Sequence, residues 1–289
     1  MNNILNVKNL NVCYGETAAL KGIDFSLPQG QAVSFIGESG SGKTTLLSAI
    51  AGLLPKGSQI SGDIEFIGQN FYALSEKKRR QILGNQIGII FQNPELFLDP
   101  TEKIGKQMED YIMLQHHIKR KDTHNKIYDI LNQLSFPDVK SVLSAYPFEL
   151  SGGMCQRISI AMVLSCENTK LILADEPTSA LDQIIRSQTA KLLVDTQKKL
   201  QASLLLVTHD IKLAQDVSDY IGVMYKGKLI EWGTAEEIFI SPYHDYTKAL
   251  IAASPKKDTD FLHFRMYDAT TDSKEFLRKE ISPGHWVLI

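Results

Sequence analysis

One octapeptide constrains this chain more than anything else in it. Gly37-Glu38-Ser39-Gly40-Ser41-Gly42-Lys43-Thr44 has the pattern G-x-x-x-x-G-K-[ST]. Glycines at these places let the backbone turn so that successive N–H groups point inward, an arrangement that receives phosphate oxygens. A helix starting near Lys43 adds the positive end of its dipole. In such a loop Lys43 reaches the β- and γ-phosphates, the Thr44 hydroxyl ligates Mg2+, and Thr45 completes the phosphate-binding set. Average composition produces the pattern by chance roughly once in a hundred chains of this length. The flanks agree with it. The apolar run Ala32-Val33-Ser34-Phe35-Ile36 reads as a strand before the loop, and Leu46, Leu47 and Ile50, ended by Gly52, read as a helix after it. Strand, loop and helix in that order predict an α/β core.

The rest of the chain falls into zones. Over about residues 4–91, short β-rich runs alternate with turn signals such as Pro28-Gln29-Gly30 and Ser61-Gly62. Over about residues 100–150 the pattern turns helical, with Ile104, Met108, Tyr111, Ile112 and Gln115 on one stripe. Apolar runs at Leu171 to Ala174, Ser203 to Thr208 and Ile221 to Tyr225 are then separated by helical stretches. This alternation predicts a mainly parallel sheet covered on both faces, interrupted by a helical insert. Tyr225-Lys226-Gly227-Lys228-Leu229 reads as a hairpin, and Thr234 with Glu237 as a capping box that opens a helix through Ile240. A second helix is expected from His244 to Ala253, and Pro255 with Lys256-Lys257-Asp258 marks a tail.

Composition narrows the function classes. The 289 residues are 43% hydrophobic and 22% charged, with a formal net charge of −2. That supports a sizeable core and argues against a general nucleic-acid binder, which carries a basic excess. No apolar run approaches the roughly 20 residues of a bilayer span, and Met1-Asn2-Asn3 does not open a signal peptide. A membrane role would come through partners. Cys13, Cys155 and Cys166 form no C-x-x-C pair, so the expectation is reduced thiols that pack as small apolar groups. Glu76 to Arg80 reads as a solvated helix face, and His116, His117, His124, Lys119, Arg120 and Lys121 read as a solvated helix or loop of the insert rather than a metal or nucleic-acid site.

Leu171-Ile172-Leu173-Ala174-Asp175-Glu176 is an apolar strand ending in two acids. In open α/β sheets ligands bind at the carboxyl ends of strands. Beside a phosphate loop, Asp175 is placed to hold Mg2+ through its water shell, and Glu176 to orient or deprotonate attacking water.

Leu150-Ser151-Gly152-Gly153-Met154-Cys155-Gln156-Arg157 resembles the signature of ATP-binding cassette (ABC) ATPases. The resemblance covers about residues 5–253 and implies a set of roles. In that family a head-to-tail dimer places each signature over the nucleotide of the opposite subunit. Ser151, Gly152 and Gly153 would therefore face a γ-phosphate from a helix N-terminus. Tyr14 sits where the family stacks an aromatic ring on adenine. Gln92 occupies the place of the Q-loop glutamine, which contacts Mg2+ and the attacking water. Ser179-Ala180-Leu181-Asp182 resembles the D-loop that crosses the dimer seam, and His209 the switch histidine at the γ-phosphate. The implied fold is a P-loop ATPase core with a mainly parallel sheet, an antiparallel β subdomain and a helical subdomain. The implied domains are a nucleotide-binding domain over 1–253, with helical residues about 100–165, and a C-terminal extension over 254–289. ATP and Mg2+ are the implied cofactors.

Two stretches narrow the branch. Phe91-Gln92-Asn93-Pro94 followed by Leu98-Asp99-Pro100 is similar to the oligopeptide, dipeptide and nickel importers. So are Ser241 to Leu250 and the final Pro283-Gly284-His285-Trp286-Val287. The implied role is the ATP-hydrolysing subunit of an importer at the cytoplasmic face of the cell membrane. Its partners would be a second, related ATPase, two permeases and an extracellular substrate-binding protein, without nucleic acid. No cysteine follows Cys166, so the iron–sulfur tail of longer members is not carried over, and the short tail leans toward nickel or metal-chelate import over long peptides. The alternative reading is a soluble cassette acting on ribosomes or DNA. It is disfavoured because the chain has room for one cassette and carries no coiled-coil or zinc module.

Overall fold

The computed structural model describes residues 2–116, 120–134, 136, 138–179, 181, 183–253 and 277–289. They form two units, residues 1–73 with 205–289, and residues 74–204.

The first unit opens on an antiparallel hairpin, β1 (Asn3–Tyr14) and β2 (Thr17–Pro28). Inward residues of β1 run Leu5, Val7, then Leu10, Val12, so the alternation changes parity between Val7 and Leu10. A bulge at Asn9, in left-handed backbone with φ 44°, makes the change and keeps both pairs on the buried face. β4 (Gln59–Phe66) pairs antiparallel with β1, and the short β5 (Gln69–Asn70) with β4.

The same unit holds β3 (Ala32–Ile36), buried at every residue, followed by α1 (Lys43–Ile50). β9 (Tyr220–Tyr225) lies parallel to β3, with Val33 opposite Tyr220 and Ile36 opposite Val223. β10 (Lys228–Thr234) returns antiparallel through Lys226-Gly227, both at positive φ, the predicted two-residue hairpin. Beyond β10 come β12 (His285–Leu288) and β11 (Arg278–Ser282), which make this edge of the sheet antiparallel. The cause lies in the last residues of the chain, read from sequence only as a tail. They fold back as a hairpin and set Trp286 opposite Trp232.

Three helices complete the unit. α9 (Ile211–Val217) is capped by Asp210, whose side chain accepts from Leu213 N–H at 3.0 Å. α10 (Ala235–Ile240) opens on the expected Thr234–Glu237 box. α11 (Asp245–Ala252) starts one residue after His244, its N-cap. Ile211, Ala214, Ile238 and Tyr246 from these helices pack with Ile36, Ile221, Val223 and Ile230 of the strands.

In the second unit, β6 (Ile87–Ile90) lies parallel to β7 (Leu171–Asp175). β8 (Ser203–Val207) begins here and ends in the first unit. α2 (Glu76–Asn85) buries no residue, as the solvated reading of Glu76 to Arg80 expected. α3 (Pro94–Phe97), α4 (Ile104–His116), α5 (Arg120–Gln133) and α6 (Val139–Ser144) make the helical region. Its stripe is real: Ile104, Met108 and Ile112 are fully buried, each contributing about 1.5–3 kcal/mol of burial. α7 (Gly152–Ser165) is buried along most of its length, and Gly88 of β6 admits it closely, since a Cβ there would lie 2.6 Å from Val163. α8 (Gln183–Leu200) closes the unit. Cys155 and Cys166 are buried free thiols and Cys13 is half-buried. Among the described residues no helix is long and apolar enough to cross a membrane. His117, Lys119, Pro255 and Lys256 to Asp258 lie outside the described residues.

Candidate functional site

The phosphate loop leaves the carboxyl end of β3 and runs into α1. Gly42 caps α1 at φ 102° and offers no side-chain hydrogen bond, so the first N–H groups of the helix are not taken by a cap. No acidic residue stands in the first turn. A Cβ at Gly37 would lie 2.2 Å from Met224 O, and one at Gly42 2.9 Å from Ala19 O, so backbone packing as well as φ requires glycine at both places. Lys43 is buried, 5% exposed. Its Nζ donates to Gly37 O and Glu38 O, each at 2.8 Å, and to Ser41 Oγ at 3.4 Å. These contacts hold the ammonium inside the curl of its own loop.

Tyr14 and His209 belong to the same unit. Tyr14, at the end of β1, donates from its hydroxyl to Thr45 Oγ1 at 3.4 Å, next to Thr44. His209 is exposed and follows Thr208, whose N–H donates to Phe35 O at 3.1 Å near the end of β3. Asp210, the cap of α9, follows it. The Thr208 bond sets the backbone just before His209 beside the end of β3.

The second unit gathers the acids. β7 carries Asp175 as its buried last residue, and Glu176 follows in left-handed backbone with φ 41°. That conformation costs a non-glycine residue about 1–3 kcal/mol and persists where the surroundings impose it. Because β6 and β7 are parallel with Ile90 opposite Ala174, Gln92 and Glu176 each stand two residues beyond a paired position. The register brings them together: Gln92 Nε2 donates to Glu176 Oε2 at 3.3 Å and to Ser179 Oγ at 3.4 Å.

The signature forms the N-terminus of α7. Ser151 is the N-cap and accepts from Met154 N–H at 3.3 Å. Ser151 and Gly152 are exposed, while Gly153 is buried against Ile185, where a Cβ would lie 3.1 Å away. Gln92, Glu95, Gly152, Gln156, Pro177 and Leu181 line a cavity of about 370 Å3 within this unit. Burial, and then Glu95 nearby, push the Cys155 thiol up to about 11, which keeps it a neutral packing group. Asp182 and Ala180 of the D-loop lie outside the described residues.

Sequence reading missed one neighbour of the loop. The Tyr246 hydroxyl accepts the Glu38 N–H at 3.0 Å, across 208 positions of sequence. The stretch around Tyr246 marks the branch, but no local signal ties it to residue 38.

The profile of the ABC transporter family matches residues 20–179. The oligopeptide transport ATP-binding protein OppD of Bacillus subtilis is 39% identical over 87% of this chain and 72% of its own length. The dipeptide transport ATP-binding protein DppD of Escherichia coli is 40% identical over 88% of this chain and 79% of its own. Among solved structures, cbiO1 from Clostridium perfringens, part of the ABC transporter complex cbiONQ, superposes with a TM-score of 0.71 at 30% identity, covering 83% of this chain and 92% of that one. The dimeric ATP-binding cassette MJ0796, bound to ADP and Pi in a post-hydrolysis state, also gives 0.71, at 26% identity over 80% of this chain and 98% of that one. With the phosphate loop, the paired acids and the signature each in place, the chain belongs to the ATP-binding cassette transporter family.

Proposed function

We propose that this chain binds and hydrolyses ATP with Mg2+ and thereby energises peptide uptake through partner permeases. The observation that carries the chemistry is Glu176, a carboxylate held at a strand end in strained backbone and contacted by Gln92. A base that must align one water needs such fixing. Lys43 and the α1 N–H groups take the β- and γ-phosphates, and Tyr14 takes the adenine face. Thr44, Asp175 and Gln92 would hold Mg2+, which supplies charge neutralisation on the phosphates when bound. His209 contacts the γ-phosphate. Ser151, Gly152 and Gly153 face the nucleotide of a second cassette. The dimeric ADP-bound neighbour supports that pairing.

The peptide assignment rests on what the two relatives are named for. Nickel and metal chelates remain the competing cargo. The permeases would anchor the chain at the cytoplasmic face of the membrane and receive cargo from an extracellular binding protein. The helical region offers a docking place for a permease helix. Phe97 and Phe148 are exposed there, and Phe97 stacks on Phe91, the residue before Gln92, with centroids 5.2 Å apart. Deleting the gene and measuring uptake of labelled dipeptide, oligopeptide and nickel tests the reading. Loss of peptide uptake alone is the expected result. Loss of nickel uptake alone would replace the cargo, and unchanged uptake of all three would remove the importer assignment to this branch.

A further inference from the structure

Residue 38 of the phosphate loop is held from two sides. Its carbonyl accepts from Lys43 Nζ at 2.8 Å and from Ser41 N–H at 3.2 Å, and its N–H donates to the Tyr246 hydroxyl at 3.0 Å. The first two contacts belong to the loop itself. The third comes from α11, in the C-terminal part of the chain.

Tyr246 is in turn fixed by its surroundings. It is 2% exposed, with its ring 4.5 Å from that of Tyr225. Burial pushes its phenol up to about 12, so the group stays protonated and neutral. The start of α11 is pinned by Glu231, a fully buried carboxylate of β10. Glu231 accepts Tyr243 N–H at 2.7 Å and His244 N–H at 3.1 Å, and Tyr246 N–H donates to His244 Nδ1 at 3.0 Å. The other neighbour of Glu231 is His285 of β12, with Nε2 3.0 Å away and the ring buried. Contacts therefore run without a break from the final hairpin to the phosphate loop, all inside the first unit.

We propose that Tyr246 is a positioning residue of the phosphate loop, and that the C-terminal segment, through the Glu231–His285 pair, sets where Tyr246 stands. A loop that binds phosphate by backbone N–H groups gains from being shaped in advance, because ordering it on binding would cost affinity. The Tyr246 hydroxyl shapes it at residue 38, one step from the turn. This rests on the ATPase reading above.

Tyr246→Phe removes one oxygen and keeps the ring against Tyr225. In the full-length chain it should raise the Kd for MgATP about fivefold, the worth of one neutral hydrogen bond. In the assembled transporter the same change should appear in KM, with kcat at saturating ATP within about twofold of wild type. Amide hydrogen exchange over residues 37–44 should quicken while α11 stays protected. His285→Ala should move all readouts the same way, by less. Tyr72→Phe is the control, because its hydroxyl donates to Ala49 O at 2.7 Å, at the far end of α1. It should leave the ATP affinity within about twofold, since it disturbs the same helix without touching the loop. An unchanged Kd with unchanged exchange in Tyr246→Phe would overturn the proposal, as would an equal loss in Tyr72→Phe. If the wild type bound no MgATP, the ATPase reading would fall, and the exchange measurement would still decide whether Tyr246 holds the loop.

Discussion

In the first unit, what is proposed to meet phosphate is mostly main chain: the turn from Gly37 to Gly42 and the start of α1, which has no side-chain cap, with one lysine curled into it. In the second, the candidate chemistry is carried by side chains from separate segments, with Gln92 after β6, Glu176 after β7 and Ser179 beyond it. The first arrangement is contiguous, so eight residues announce it. The second depends on strand register, since Gln92 and Glu176 lie 84 positions apart and meet because their strands run parallel and in step. The lesson is that a binding surface of backbone is written locally, whereas a poised carboxylate is written in the sheet.

The largest expected effect strikes the local half. Lys43→Ala leaves the glycine turn intact and removes its only ammonium, so hydrolysis should fall at least about a hundredfold, with transport lost. Release of phosphate by the assembled transporter measures it. Near-normal activity would mean that the backbone alone suffices, which would push the comparison to its extreme and break the role given to Lys43.

Next comes the register-built half. Glu176→Gln keeps shape and the contact to Gln92 but removes the carboxylate. Hydrolysis should drop about 10^2- to 10^4-fold, the range of a lost general base. Nucleotide binding should persist, and the closed dimer should accumulate on a sizing column with ATP. A mutant that binds ATP poorly would show that the two halves do not divide binding from chemistry as argued. His209→Ala should likewise slow hydrolysis more than binding.

The same division explains what could be read before the structure. The phosphate loop, the Thr234–Glu237 box, the Lys226-Gly227 turn and the stripe of Ile104, Met108 and Ile112 are all local patterns, and each stands where expected. The Asn9 bulge, the antiparallel edge made by β11 and β12, and the bond from Tyr246 to Glu38 join distant residues. No spacing rule reaches across 208 positions. Strand order and burial decide such pairs, and both are tertiary.

Ser151 sharpens the comparison from a third side, because it caps α7 and is also proposed to face a second cassette. Ser151→Ala removes the cap of α7 and should cost about 1 kcal/mol of stability, read as a lowered Tm. Ser151→Arg should add a loss of hydrolysis at the nucleotide bound to the partner's phosphate loop, because a long cation would occupy the exposed helix start. A photoreactive ATP analogue should label both chains in the closed state. Labelling of one chain alone would remove the shared site.

The smallest effect tests whether the C-terminal hairpin is held as firmly as the sites it stands behind. Glu237 caps α10 and also reaches that hairpin, since its carboxylate contacts the Ser282 hydroxyl and lies 4.0 Å from His285 Nδ1. Burial raises its pKa, but the hydrogen bonds from Ser282 and from the Thr234 N–H and hydroxyl, with His285 beside it, outweigh burial and hold the group below its ordinary value of 4.5. A carboxylate lowered in the folded state binds protons less readily than in the unfolded chain. Its contribution is therefore complete above the unfolded value and is lost as pH falls through the folded one. Wild-type Tm should accordingly fall on acidification below about pH 4.5, in part through this group. Glu237→Gln should start slightly lower at neutral pH and show a shallower acid slope, because its amide does not titrate. The group is about a third exposed, so solvent screening keeps the difference small. Parallel acid slopes for wild type and variant would mean that Glu237 carries no linked proton and that strand pairing with the Glu231–His285 contact holds the hairpin without it.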